Sequence, residues 1–203
     1  MRPDGWPIQL RQGRVGLRPL ARGDARAWRE VRARNRVWLG PWEATLPPGV
    51  DRAPQSFRAM TRELDRQARA GRTLPFATTW DDRLVGQVTV SSITWGSARS
   101  ASIGYWVDRA VAGRGITPLA VALAIDHCFG TVGLHRIEVA VRHENVASLR
   151  VVDKLGLRQV GEAPRYLHIA GDWRDHLLFA VTREEVPAGM VARLESSSHP
   201  SQM

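Results

Sequence analysis

The chain has 203 residues, 43% of them hydrophobic, enough to bury the core of one domain without disulfide or metal staples. A single cysteine, Cys128, excludes an intramolecular disulfide and any cysteine-based metal site, and residues 1–30 hold no unbroken apolar run of the kind a signal peptide needs. The formal net charge is +9 and no run is apolar over a membrane-spanning length, so the expected setting is the cytoplasm, with no membrane contact.

The positive charge is unevenly placed. Residues 1–72 hold 16 arginines against 7 acidic residues, whereas the remainder holds 13 basic against 13 acidic. The N-terminal third therefore either faces an acidic or nucleic-acid-bearing partner, such as a ribosome, or is a solvated basic face. Arginine outnumbers lysine 28 to 1, so codon composition accounts for part of the bias.

Residues 1–14 read as a polar lead-in. Residues 15–19 alternate as a short strand, and Asp24 then caps a helix with Trp28, Val31 and Asn35 on one face. Segment 35–43 is dense in aromatics but broken by Gly40 and Pro41. Its Trp38 and Trp42 suit either a loop pinned to the core or the wall of a substrate groove. Residues 55–70 form an arginine-rich amphipathic helix, with Phe57, Met60 and Leu64 at helical spacing and Gly71 as its stop. Strands follow at 74–80, 84–93 and 100–107, joined by turns short enough for an antiparallel meander.

The next stretch carries the chemistry. Gly113 and Gly115 flank Arg114, and the run 119–129 is almost free of charge, the pattern of a buried helix. Thr117 is placed to cap that helix, Pro118 suits its first turn and Gly130 supplies a stop. Backbone N–H groups from the turn and the helix start can converge on an anion such as phosphate, because glycine keeps side chains out of the approach. A plain structural turn is the alternative. Cys128, inside the apolar run, reads as an inert buried thiol. Residues 136–142 alternate as a strand, parallel to 100–107 because a helix separates the two. Asn145 caps a second helix that Gly156 closes, with Val146, Leu149 and Val152 as its apolar stripe. Strands at 158–161 and 175–182 complete a mixed sheet. Residues 187–203 are small and polar and read as a flexible tail, leaving one domain over 15–186.

Six segments in this order carry a resemblance: Asn35-Arg-x-x-Leu-x-Pro-Trp-Glu43, Ile103-Gly-Tyr-Trp-Val107, Gly113-Arg-Gly115, Leu134-His-Arg-Ile137, Asn145-x-x-Ser148-x-x-Val-x-Asp-Lys-Leu-Gly156 and Gly171-Asp-Trp-Arg-Asp175. Together they resemble the GNAT N-acetyltransferase superfamily over roughly residues 15–183, most closely its ribosomal-protein N-terminal acetyltransferases of the RimJ and RimL type. The resemblance implies an α/β (α+β) fold with a mixed, mostly antiparallel twisted sheet of six to seven strands and about four helices. It implies acetyl-CoA as cosubstrate and no metal.

On the same resemblance, Ala112, Gly113, Arg114, Gly115, Ile116 and Thr117 surround the pyrophosphate, and Tyr105, Trp106, Val107, Asn145 and Ser148 lie along the pantetheine and thioester. The N–H of Val107 is the candidate oxyanion donor. Ser148 matches the position that protonates the leaving thiolate, and it equally suits a capping role three residues along from Asn145. Glu43, Glu138 and His135 are open candidates for the base, while Asn35, Trp38, Trp42, Glu43 and Tyr166 fall on the acceptor side. The chain departs from the family pattern at Ala112, Thr117, Pro118-Leu119 and Ser102; at the last, close relatives often carry an acid. An α-amino group titrates at about 7.7–8.0 and lysine at about 10.4, so the lack of an evident strong base favours a protein N-terminus as acceptor. A non-catalytic acetyl-CoA-binding or ribosome-associated module and a small-molecule acetyltransferase are the other readings, and a monomer or weak homodimer is expected.

Overall fold

The computed structural model describes residues 5–50 and 55–198. Its strands are β1 (Leu10–Gln12), β2 (Val15–Pro19), β3 (Leu74–Trp80), β4 (Arg83–Thr94), β5 (Ser100–Val107), β6 (Arg136–Val141), β7 (Arg158–Ile169) and β8 (Asp172–Thr182). They form one sheet in the order β1-β2-β3-β4-β5-β6-β8-β7, antiparallel throughout except between β5 and β6. The helices are α1 (Ala25–Arg34), α2 (Arg36–Leu39), α3 (Phe57–Arg69), α4 (Ile116–His127), α5 (Val146–Lys154) and α6 (Met190–Ser198). None of them is long and apolar enough to cross a membrane.

Alternation in the strands sorts the core onto two faces. On β3, Phe76 joins the large cluster under α4 and α5, while its neighbour Ala77 joins Leu20, Val31 and Leu84 beneath α1 and α3. Helix α4 is buried on nearly every side, including Ala120, Val121, Ala124 and Ile125 at 0% exposure, as a sequence whose one carboxylate is Asp126 near its end requires. Cys128 is likewise enclosed, and burial pushes its thiol up to about 12, so it is inert at neutral pH.

The parallel contact decides where a ligand can go. β5 and β6 pair only from Ser100↔Arg136 to Ser102↔Glu138 and then diverge, leaving an opening over which the start of α4 sits. This is the crevice at the strand ends where open α/β sheets bind ligands.

Several sequence expectations need correction. The lead-in is not loose: β1 pairs with β2, and Trp6 packs edge-on against Phe76 at 5.3 Å; residues 1–4 lie outside the described residues. Asp24 does not cap α1 with its side chain; it accepts from the N–H of Ala21 and pairs with Arg18 at 2.7 Å, closing a short 3-10 turn instead. Helix α4 begins one residue before Thr117, with Gly115 at φ +76° as its cap, and it runs past Gly130 through a wider turn of π geometry that ends at Gly133, φ +79°. Val146 is exposed, so the apolar face of α5 is carried by Leu149, Val151 and Val152. The last two strands form a long hairpin turning at Ala170 and Gly171, and the sheet has eight strands rather than six or seven. The tail is not flexible throughout, since α6 buries Met190 against the core and Asp126 accepts from the N–H groups of Met190 and Val191; residues 199–203 lie outside the described residues.

Candidate active site

The opening between β5 and β6 is the floor of a groove of about 900 Å³, of the size that holds a cofactor-sized ligand. Residues 105–107 of β5 form one side and residues 145–154 of α5 the other. The stretch 111–118 closes one end, and Trp38, Trp42 and Glu43 stand over the other parts.

At the closed end the backbone is arranged to receive an anion. Gly113 and Gly115 have φ of +80° and +76°, a region side chains disfavour, and a Cβ at either position would meet no protein atom within 4 Å. Among the described residues, the N–H groups of Gly113, Arg114, Gly115, Ile116 and Thr117 donate to no acceptor within the chain, and the first N–H taken up is that of Leu119, by Gly115 O at 3.2 Å. Five consecutive amides thus stand open at the positive end of a buried helix, which fits a pyrophosphate.

The side chain of Arg114 takes no part. Its guanidinium lies 5.0 Å from the Trp80 ring, which Arg14 also approaches at 4.4 Å, so the expected Arg114 contribution reduces to its backbone. The cations that do line the groove are Arg32, Arg109, Arg150 and Lys154. Sequence reasoning missed all four as groove residues. The signal available was the i, i+4 spacing of Arg150 and Lys154, one helical face on which Ala147 and Val151 also reach the groove.

Val107 sits where β5 leaves both neighbours. The N–H of Asp108 donates to Val85 O at 2.7 Å, and an antiparallel ladder alternates, so Gly86↔Val107 is a non-hydrogen-bonded pair whose Val107 N–H points away from β4. β6 has already diverged, and that donor faces the groove. Gly86 permits the approach, because a Cβ there would lie 2.4 Å from Trp106 O. Beside it, the hydroxyls of Tyr105 and Ser148 share a hydrogen bond of 2.7 Å, and burial pushes the Tyr105 phenol up to about 12 against the opposing effect of that bond. Asn145 caps α5 by accepting from the N–H of Ser148 at 3.1 Å, so capping is the work of Asn145 and the Ser148 hydroxyl stays on the groove.

The remaining candidates separate. Glu43 lines the groove and is ion-paired with Arg32, whose guanidinium lies 5.2 Å from the Trp106 ring. Trp38 and Trp42 also line it, beneath Arg109 and Arg142 respectively. Asn35 does not: it is 1% exposed, and its amide is spent on Val31 O, Asp108 Oδ1 and the N–H of Arg109, so it positions the end of β5 rather than contacting substrate. Glu138 pairs with Arg136 at 2.7 Å and His135 with Glu184 at 3.0 Å, and neither lines the groove. Tyr166 is exposed on β7 with its ring against His176 at 5.7 Å, also outside the groove.

Residues 14–158 match the acetyltransferase (GNAT) domain family. The chain superposes on Mycobacterium smegmatis RimJ in complex with CoA-disulfide with a TM-score of 0.89 and 42% identity, covering 96% of this chain and 97% of that one. It is 30% identical over 173 residues to the [ribosomal protein uS5]-alanine N-acetyltransferase of Escherichia coli, covering 82% of this chain and 87% of the relative. It is 42% identical over 101 residues to the probable N-acetyltransferase YjcK of Bacillus subtilis, where the match takes in 50% of this chain and only 56% of the relative's length. With its splayed strands, open amides and groove, the chain belongs to the GNAT acetyltransferase family.

Proposed function

We propose that the protein transfers the acetyl group of acetyl-CoA to the N-terminal α-amino group of a protein, with ribosomal proteins as the acceptor class. The observation that carries the coenzyme half is the row of five open amides at 113–117 beside the unpaired Val107 N–H. The acceptor half draws on the relatives, among them an acetyltransferase named for alanine of ribosomal protein uS5.

Acetyl-CoA supplies an acyl group activated as a thioester. The chain's own residues do the rest. Open amides and the cations Arg109, Arg150 and Lys154 neutralise phosphate charge. The Val107 N–H is preorganised toward the point where negative charge develops on a carbonyl oxygen, the largest single contribution available in such a site. The Tyr105–Ser148 hydroxyl pair offers a proton to the departing thiolate; because a thiol titrates at about 8.5, the gain is modest. Glu43, held by Arg32 through Oε1, keeps Oε2 for the incoming amine or a water that takes its proton. All of these residues come from one chain, so the reading needs no second copy, and its setting is the cytoplasm.

A polycationic small amine is a poorer acceptor on electrostatic grounds. Glu43 is the one carboxylate lining the groove among the described residues, and Arg32 already engages it. The test is thiol release from acetyl-CoA with two peptides of the same sequence, each containing an internal lysine, one with a free N-terminus and one N-terminally blocked. Release is expected with the free peptide alone, and Ser148→Ala should lower its kcat about tenfold, below the usual hundredfold or more of general acid catalysis because a thiolate leaves readily. Equal release with the blocked peptide, or none with either, would overturn the proposal.

A further inference from the structure

Helices α1 and α3 lie side by side on one face of the sheet. They share an apolar cluster with Leu20, Ala77 and Leu84, and Trp28 of α1 meets Phe57 of α3 at 5.5 Å. Their outward faces therefore point the same way. On that side the turn before α1 presents Arg22, α1 presents Arg26 and Arg29, the start of α2 presents Arg36, and α3 presents arginines 58, 62, 66 and 69 at the three- and four-residue spacings that keep one side of a helix.

Ion pairing sorts these groups. Arg26 pairs with Glu30, Arg66 with Glu63 and Arg69 with Asp65. Among the described residues, Arg22, Arg29, Arg36, Arg58 and Arg62 have no carboxylate partner, and all five are exposed. Other acids of this region are committed elsewhere, Asp24 to Arg18 and Glu43 to Arg32. An excess of positive charge is thus gathered on a two-helix surface rather than spread over the fold.

We infer that this surface docks the phosphate backbone of an RNA duplex, holding the acceptor's N-terminus near the groove. A protein partner would require an aromatic or aliphatic anchor at the centre of the patch. Beside these arginines the stripes offer Ala33 and one exposed aliphatic, Val37, with no exposed aromatic, whereas backbone binding needs charge alone. The same α1–α2 segment continues into the groove, since Arg32 and Trp38 line it, so RNA bound here abuts the site. The identity of the RNA as the acceptor's own surroundings rests on the proposed function; the binding itself does not.

The experiment titrates the full chain, without acetyl-CoA, into a fluorescently labelled mixed-sequence RNA duplex and follows anisotropy at several KCl concentrations. On the B-form duplex value of about −0.9 per phosphate contact for the slope of log K against log salt, five contacts give about −4.5. The variant R22Q/R29Q/R36Q/R58Q/R62Q should bind at least about a hundredfold more weakly with a flatter slope, its all-lysine counterpart should retain most of the affinity, and both should acetylate a free peptide as the parent does. Absence of saturable binding, a slope shallower than about −2, unchanged affinity in the glutamine variant, or tighter binding of polyglutamate than of RNA would each overturn the inference. Failure of peptide acetylation with RNA binding intact would instead overturn the proposed function.

Discussion

Replacing Gly113 and Gly115 together by alanine should raise the dissociation constant for acetyl-CoA by at least about a hundredfold while the chain still folds. Both positions hold positive φ, where an L side chain costs about 1–2 kcal/mol. Relaxing that strain turns the peptide units away and misdirects amides that nothing inside the protein uses. Hydrogen bonds to a charged group contribute about 1.5–3 kcal/mol each, so losing two exceeds about 3 kcal/mol, more than two decades in affinity. Folding suffers less, because neither new Cβ meets a protein atom within 4 Å. Isothermal titration with acetyl-CoA reads the affinity and a thermal melt reads the fold. Loss of affinity without loss of the melt separates a ligand cradle from a structural turn.

Asp108→Ala should cost about 3 kcal/mol of stability and lower the melting temperature by roughly 6–12 °C. Asp108 is 2% exposed and accepts from Asn35, Arg34 and the N–H of Ala110, while Asn35 in turn accepts from the N–H of Arg109. Removing the carboxylate leaves the buried Asn35 amide short of a partner, although Arg34, half exposed, recovers water and limits the loss. Burial alone would raise the Asp108 carboxyl, but Arg34, Asn35 and Ala110 together outweigh it, and the net shift is downward. A depressed carboxyl contributes stability above its unfolded value of about 3.9, and that contribution is lost as pH falls through the lower folded value. The stability gap between parent and variant should therefore persist at neutral pH and close below about pH 4. A gap that widened on acidification would contradict this account of the network.

The parts of the fold legible from sequence were those fixed locally. β3 and β5 have the bounds that their alternation and flanking turns predict, and Asn145 caps α5 through the expected side-chain bond. Expectations failed where a distant partner decides the outcome. The strand expected over 158–161 continues past Pro164 as β7 because a bulge between Ala163 and Leu167, with Arg165 at φ +50°, absorbs the missing N–H. The Ser-rich segment of α6 read as disordered because nothing near it reveals that Asp126 caps it across the fold.

The same division runs through the site. The amide cradle follows from glycine and helix-start geometry over a few residues, so it was visible in the chain. Asn35 proved to be a positioning residue and Arg114 keeps only its backbone in the cradle, because side-chain direction depends on Asp108 and Trp80, far away in sequence. Arg150 and Lys154 belong to the groove only because β5 and β6 part company and let α5 lean over the opening.

The central claim is that one coenzyme spans from the 113–117 amides to Val107. A ¹H–¹⁵N spectrum of the assigned chain titrated with CoA tests it most directly. The account predicts that the amides of Gly113, Arg114, Gly115, Ile116 and Thr117 shift downfield together on a single saturating curve, with Val107 moving on the same curve. Binding of CoA that left those six resonances in place while others moved would contradict it.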